Sequence, residues 1–145
     1  MTAASGIESD DSVLLDTDVF SVLFLNGRDA QRYDAAVAGR EMLLSAFSQA
    51  EVLAGAEMRG WGERRLAALE QVFASIVILE VTEGVVRSYA RVRALAKRLG
   101  HPLHGDAQLV DRWIAATALE YQVPLLTGNR KHYGELPGLR LVEVP

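Results

Sequence analysis

Apolar runs separated by polar turns divide this chain into alternating strands and helices. Val13-Leu14-Leu15, ended by Asp16, reads as a buried strand. Thr17 and Asp18 are suited to cap a helix through Phe20 to Leu25, which Asn26-Gly27 stops. Asp29 to Ala38 predicts a second short helix and Glu41 to Ser45 a second strand. A helix opening at Ser45 or Ser48 runs to about Arg59, is broken by Gly60-Trp61-Gly62, and is followed by helical spacing from Glu63 to Ala74. Ile76 to Leu79 is a β-branched strand, and Thr82 to Leu99 a long amphipathic helix closed by Gly100 and Pro102. Asp106 to Tyr121 predicts another helix, Pro124 to Thr127 a buried strand, and Leu139 to Val144 a final edge strand. Residues 1–12 are small, polar and acidic and read as a mobile tail, leaving 13–145 as one domain.

Strands that alternate with helices imply a mainly parallel sheet covered on both faces. In such sheets ligands gather beyond the carboxyl ends of the strands. Asp16, Ser45 and Thr127 all fall at such ends.

Composition narrows the class. Half of the 145 residues are hydrophobic, enough for a real core. The longest apolar runs fall far short of the roughly 18 residues a membrane span requires. The absence of cysteine removes disulfides and thiolate metal sites. With no secretory signal visible, a cytoplasmic protein is expected. The net charge of −4 owes much to Glu8, Asp10 and Asp11, so the body is near neutral and a nucleic-acid partner stays open.

Three carboxylates occupy positions a folded core should resist. Asp16 terminates an apolar strand, which a strand-to-helix turn also explains. Glu51 has Phe47, Ala54, Gly55 and Met58 as its helical neighbours, an apolar or minimal face. The competing explanation is a Ser48-x-x-Glu51 capping box, which requires the helix to start at Ser48. Asp111 lies on the shoulder of the stripe Val110, Ile114, Thr117 and Tyr121, where an ion pair with Arg112 or Arg130 is the ordinary alternative. Unpaired carboxylates about 4 Å apart repel by about 4 kcal/mol at an effective dielectric near 20. A set of oxygen donors relieves that repulsion by holding a hard cation such as Mg²⁺ or Mn²⁺.

Four segments in order, LLDTDVF (Leu14 to Phe20), SAFSQAEVLAG (Ser45 to Gly55), DRWIAATAL (Asp111 to Leu119) and LLTGNRKHY (Leu125 to Tyr133), resemble the signatures of PIN-domain ribonucleases, specifically the VapC toxins of bacterial toxin–antitoxin pairs. The resemblance implies a PIN-like three-layer α/β/α sandwich. It implies Asp16 and Asp111 as the main ligands of Mg²⁺ or Mn²⁺, with Glu51 beside them. Thr127 would orient Asp16, with Asp18 nearby in support. The implied reaction is hydrolysis of an RNA phosphodiester by metal-activated water, leaving 5′-phosphate and 3′-hydroxyl ends. Many such domains carry a fourth acid where this chain has Gly128-Asn129. Asn129 offers a neutral oxygen, so a second ion would bind less tightly. The implied partners are a VapB-type antitoxin, whose peptide would wrap the Phe20 to Leu25 helix, and a second copy in a homodimer.

From Gly84 to Gly105 no acid occurs, while Arg87, Arg91, Arg93, Lys97 and Arg98 do. Arg87, Arg91 and Arg98 fall on one line of their helix and are candidate RNA phosphate contacts. His101 and His104 flank Pro102 in a chain without cysteine, a poor zinc site, and His132 reads as a loop residue. Two rivals remain. VLLDTDV also suits a haloacid-dehalogenase-like phosphatase, but no acidic pair follows Thr127 to complete that site. A PIN-like binding module with a degenerate site is the non-enzymatic rival.

Overall fold

A computed structural model describes residues 11–145. Its elements are β1 (Ser12–Leu15), α1 (Thr17–Ser21), α2 (Asp34–Val37), β2 (Glu41–Ser45), α3 (Ala46–Met58), α4 (Glu63–Ser75), β3 (Val77–Leu79), α5 (Glu83–Leu99), α6 (Leu109–Tyr121), β4 (Leu125–Leu126) and α7 (Arg130–Tyr133). The described strands form a single parallel sheet in the order β3-β2-β1-β4. Leu14 aligns with Leu43 on one side and with Leu125 on the other.

The two-residue period of a strand sorts the sheet's leucines between two cores. Leu14, Leu43, Leu79 and Leu125 pack with Val85, Val92, Ile114 and Ala118 of α5 and α6. Val13, Leu15, Leu44 and Leu126 face the opposite way, onto Val19, Phe20, Val52, Leu69 and Phe73 of α1, α3 and α4. A fully buried leucine contributes roughly 2 kcal/mol. The result is the expected three-layer α/β/α sandwich.

Several boundaries differ from the expectation. Ser12 is buried and begins β1, one residue ahead of the predicted strand. The rest of the expected tail, residues 1–10, lies outside the described residues. The helix predicted from Phe20 to Leu25 starts earlier, at Thr17, and loosens into a π-helical turn at Val22–Asn26. Its cap is Asp16, whose carboxylate accepts from the Thr17 N–H at 2.8 Å, rather than Thr17 or Asp18. The predicted helix at 29–38 is a 3-10 turn, Ala30–Tyr33, running into α2. The segment from Asp106 likewise begins as a 3-10 turn, and α6 proper starts at Leu109. This places Asp111 in the first turn of α6, where the helix dipole favours an anion.

The predicted edge strand at Leu139–Val144 is reduced to one bridge, Leu125 to Leu141. Leu125 donates to Arg140 O and accepts from the Val142 N–H, both at 2.9 Å. β4 is only two residues long, and after Leu126 the chain turns to engage Asp16 through Thr127, so little ladder remains to pair with.

Candidate active site

β1 lies between β2 and β4, so the chain's crossovers diverge on either side of it. The gap between the carboxyl ends of β1 and β4 is the switch point where such sheets bind ligands. Asp16 at the end of β1 and Thr127 at the end of β4 meet there. The Thr127 hydroxyl donates to Asp16 Oδ2 at 2.6 Å and itself accepts from the Asn129 N–H at 2.9 Å. Asp16 is only 4% exposed. Burial pushes its carboxyl up to about 6 from an ordinary 3.8; the Thr127 bond opposes the rise, while Asp111 adds to it.

Two helix starts bring in the remaining acids. Ser45 caps α3, accepting from the Ser48 N–H at 3.0 Å. The helix therefore does not start at Ser48, and Glu51 belongs to no capping box. The Ser45, Ser48 and Thr17 hydroxyls form a chain that reaches Glu51, with Thr17 Oγ1 2.9 Å from Glu51 Oε1. The apolar face that carries Glu51 is not buried: Glu51 is exposed and Met58 further along is 82% exposed. Asp111, half-buried on α6, pairs with neither Arg112 nor Arg130 but lies 3.1 Å from His132 Nδ1. Of the expected misfit carboxylates, only Asp16 is truly buried.

Asp16, Thr17, Glu51 and Asp111 line one cleft of 430 Å³, together with Asp18, Asn129, His132, Arg59 and Trp61. Asn129 Nδ2 donates to Asp18 Oδ2 at 3.2 Å, fixing both on the same rim. Arg87, Arg91 and Arg98 do not line the cleft. They lie along α5, and Arg87 pairs at 2.8 Å with Glu83, one residue outside the acid-free window. His101 is committed elsewhere: Nε2 lies 2.7 Å from Gly134 O and Nδ1 accepts from the Leu103 N–H.

Sequence reasoning missed several supports of the site. Tyr133 is buried and its hydroxyl donates to Asp16 Oδ1 at 3.4 Å. Burial, then the charges of Asp16 and Asp111, push its proton affinity well above the ordinary range, so it remains a donor. Arg112, read as a surface partner for Asp111, is 5% exposed. Its guanidinium donates to Leu103 O at 2.9 Å and Gly105 O at 2.7 Å, clamping the loop that leads into α6. Trp113 stacks between Phe47 and Tyr89, tying α6 to α3 and α5. Little in the local sequence distinguishes a buried arginine from an exposed one, whereas Tyr133 lies within a quoted motif.

The donor set fits a hard divalent cation. Its carboxylates offer only oxygen, with His132 Nδ1 3.1 Å from Asp111, and the fold presents a desolvated carboxylate that neighbouring acids further destabilise. Positive charge at that point would reverse the upward push. Among the described residues no three acids or histidines converge into a ready cage. A cation shared by Asp16 and Asp111 would therefore keep much of its water, as small hard cations do.

A parallel α/β sandwich with carboxylates gathered at its switch point defines the class of protein. The model of the PIN domain matches residues 13–134, and the chain belongs to that family. It is 37% identical over 102 residues to Ribonuclease VapC19 of Mycobacterium tuberculosis, covering 70% of this chain and 74% of that protein. It superposes on the VapBC-1 structure from nontypeable Haemophilus influenzae with a TM-score of 0.71 at 25% identity, covering 90% of this chain and 96% of that one. The DNA-bound VapBC structure from Salmonella typhimurium gives a TM-score of 0.75 at 24% identity over 90% of this chain and 96% of the other, a likeness of fold.

Proposed function

We propose that this chain is an endoribonuclease, the toxin of a toxin–antitoxin pair, acting on RNA phosphodiesters in the acidic cleft with Mg²⁺ or Mn²⁺. The observation that carries the reading is the buried Asp16 carboxylate, bonded by Thr127 and coupled to Asp111, in a chain related to Ribonuclease VapC19. Asp16 and Asp111 would hold the ion, with Glu51, which lines the same cleft, as a further oxygen donor. Thr127 and Tyr133 fix the Asp16 carboxylate in one orientation. Asn129 and Asp18 close the rim. The chemistry such an ion would supply when bound is polarisation of water and offset of charge on the phosphoryl group.

An antitoxin of the VapB type is the proposed partner. A notch bounded by Phe24, Leu25, Trp61, Leu69 and Val72, with Arg65 beside them, shares Leu25 and Trp61 with the cleft, so a peptide seated there would run on over the acids. Among the described residues no helix is long and apolar enough to cross a membrane. A cytoplasmic setting and a homodimer complete the proposal.

The test is cleavage of single-stranded RNA by purified protein with Mg²⁺ or Mn²⁺. Asp111→Asn should lower the rate by about 10³-fold or more, the scale expected when charge stabilisation at the reacting group is lost. Cleavage that persists in chelator, or in Asp111→Asn protein, would refute the metal-dependent reading. RNA binding without cleavage by wild-type protein would favour the degenerate module.

A further inference from the structure

Among the described residues lining the cleft, Arg59 carries the one permanent positive charge, in the company of Asp16, Asp18, Glu51 and Asp111. It is exposed and forms no ion pair among the described residues, although four carboxylates share its cleft. A flexible arginine beside so many acids normally folds onto one of them. This one lies back along α3 over Gly55, where an added Cβ would meet its Nη1 at 3.5 Å.

Arg59 is the C-cap of α3, and Gly60 follows with φ +67°, the left-handed conformation glycine adopts without strain. The Gly60 N–H donates to Glu57 O and the Trp61 N–H to Ala56 O, both at 3.1 Å. These are the paired bonds of a Schellman cap. The cap fixes Trp61 against the end of α3, where the indole packs at the edge of the core and forms part of the cleft wall. The Arg65 guanidinium lies 3.9 Å from the indole centroid and covers the ring. The sequence Arg59-Gly60-Trp61 thus places a free guanidinium and an apolar ring side by side on the wall.

With the indole already covered by Arg65 and packed on the core, what the wall offers is the Arg59 guanidinium, suited to one phosphate of single-stranded RNA. Such strands are held in part by cationic contacts to the backbone. A guanidinium is the side chain best matched to a phosphate, which it can grip with paired N–H donors. We propose that Arg59, positioned by the Schellman cap and flanked by Trp61, binds an RNA phosphate adjoining the one that is cut. The subsite rests on the ribonuclease reading above and adds a substrate contact to it.

The experiment measures binding of a short fluorescein-labelled single-stranded RNA by anisotropy across a salt series, in an Asp111→Asn background so that the probe survives. Arg59→Ala should weaken binding about tenfold and reduce the salt slope by about one. Arg59→Lys should keep most of the slope while losing part of the affinity, because charge survives and the paired donors do not. The wild-type protein is assayed for cleavage of the same RNA. Cleavage by wild type together with an unchanged Kd and salt slope in Arg59→Ala overturns the subsite alone, and would leave Arg59 for a protein carboxylate. Failure of wild type both to bind and to cleave overturns the subsite and the ribonuclease reading together.

Discussion

Asp16 and Glu51 are carboxylates of the same cleft, yet Asp16 is 4% exposed and Glu51 stands in solvent. Asp16 is fixed by backbone, hydroxyl and phenol donors from three separate segments: Thr17, Thr127 and Tyr133. Glu51 is tethered by one hydroxyl, that of Thr17. The floor of the cleft therefore holds a charge the fold would rather neutralise, while the rim holds charges that water already satisfies. A cation relieves a real cost at the floor, whereas at the rim it only displaces solvent.

The largest break in that comparison comes from Asp16→Asn. Cleavage should be lost, while the metal-free protein should gain stability at pH 7.5. The sign follows from the raised carboxyl. With its folded value near 6 and its ordinary value 3.8, Asp16 is fully favourable to folding below about 3.8 and loses that contribution as pH rises through about 6. At neutral pH the buried charge costs at most about 3 kcal/mol. Urea unfolding in chelator should show the variant about 1–3 kcal/mol more stable at pH 7.5. That margin should shrink to about a third by pH 4.5 and vanish below about 3.8, and a pH-independent margin would show that desolvation of Asp16 is not its source.

A smaller effect is expected at Thr127→Val, which keeps the shape and removes the hydroxyl. Asp16 loses a donor and the Asn129 N–H loses its acceptor, costing about 1–2 kcal/mol of stability. Loss of the donor also pushes the Asp16 carboxyl further up. Activity at fixed, subsaturating Mg²⁺ should fall about tenfold and recover in part at higher ion concentration, as expected for a group that orients a ligand. Recovery to no degree would indicate a direct part in the reaction.

The smallest effect should come from the basic line on α5. Replacing Arg87, Arg91 and Arg98 together by Gln should weaken RNA binding less than Arg59→Ala alone, because none of the three lines the cleft and Arg87 already has Glu83. A larger loss than that of Arg59→Ala, in the same anisotropy assay, would move the main RNA surface from the cleft to α5.

The strands were legible because continuous Val and Leu runs bounded by polar residues leave few alternatives. Asp16, Asp111, Thr127 and Asn129 were legible as a set because motifs keep their order along the chain, and the fold collects Asp16, Asp111 and Asn129 in one cleft with Thr127 buried behind Asp16. The turns at Val22–Asn26, Ala30–Tyr33 and Asp106–Gln108 were not, since short segments of mixed propensity are decided by what they pack against. Arg112 shows the limit most clearly. Its neighbours in sequence suggest a surface pair with Asp111, but backbone carbonyls at Leu103 and Gly105 draw it inward.

Hydrophobic spacing alone determined the alternation of strands and helices, and thus the parallel sandwich and the strand ends where its acids fall. Which of those acids would be desolvated was decided by tertiary structure. Burial depends on what closes over a residue, and for Asp16 that cover comes from Thr127 and Tyr133, more than a hundred residues away along the chain.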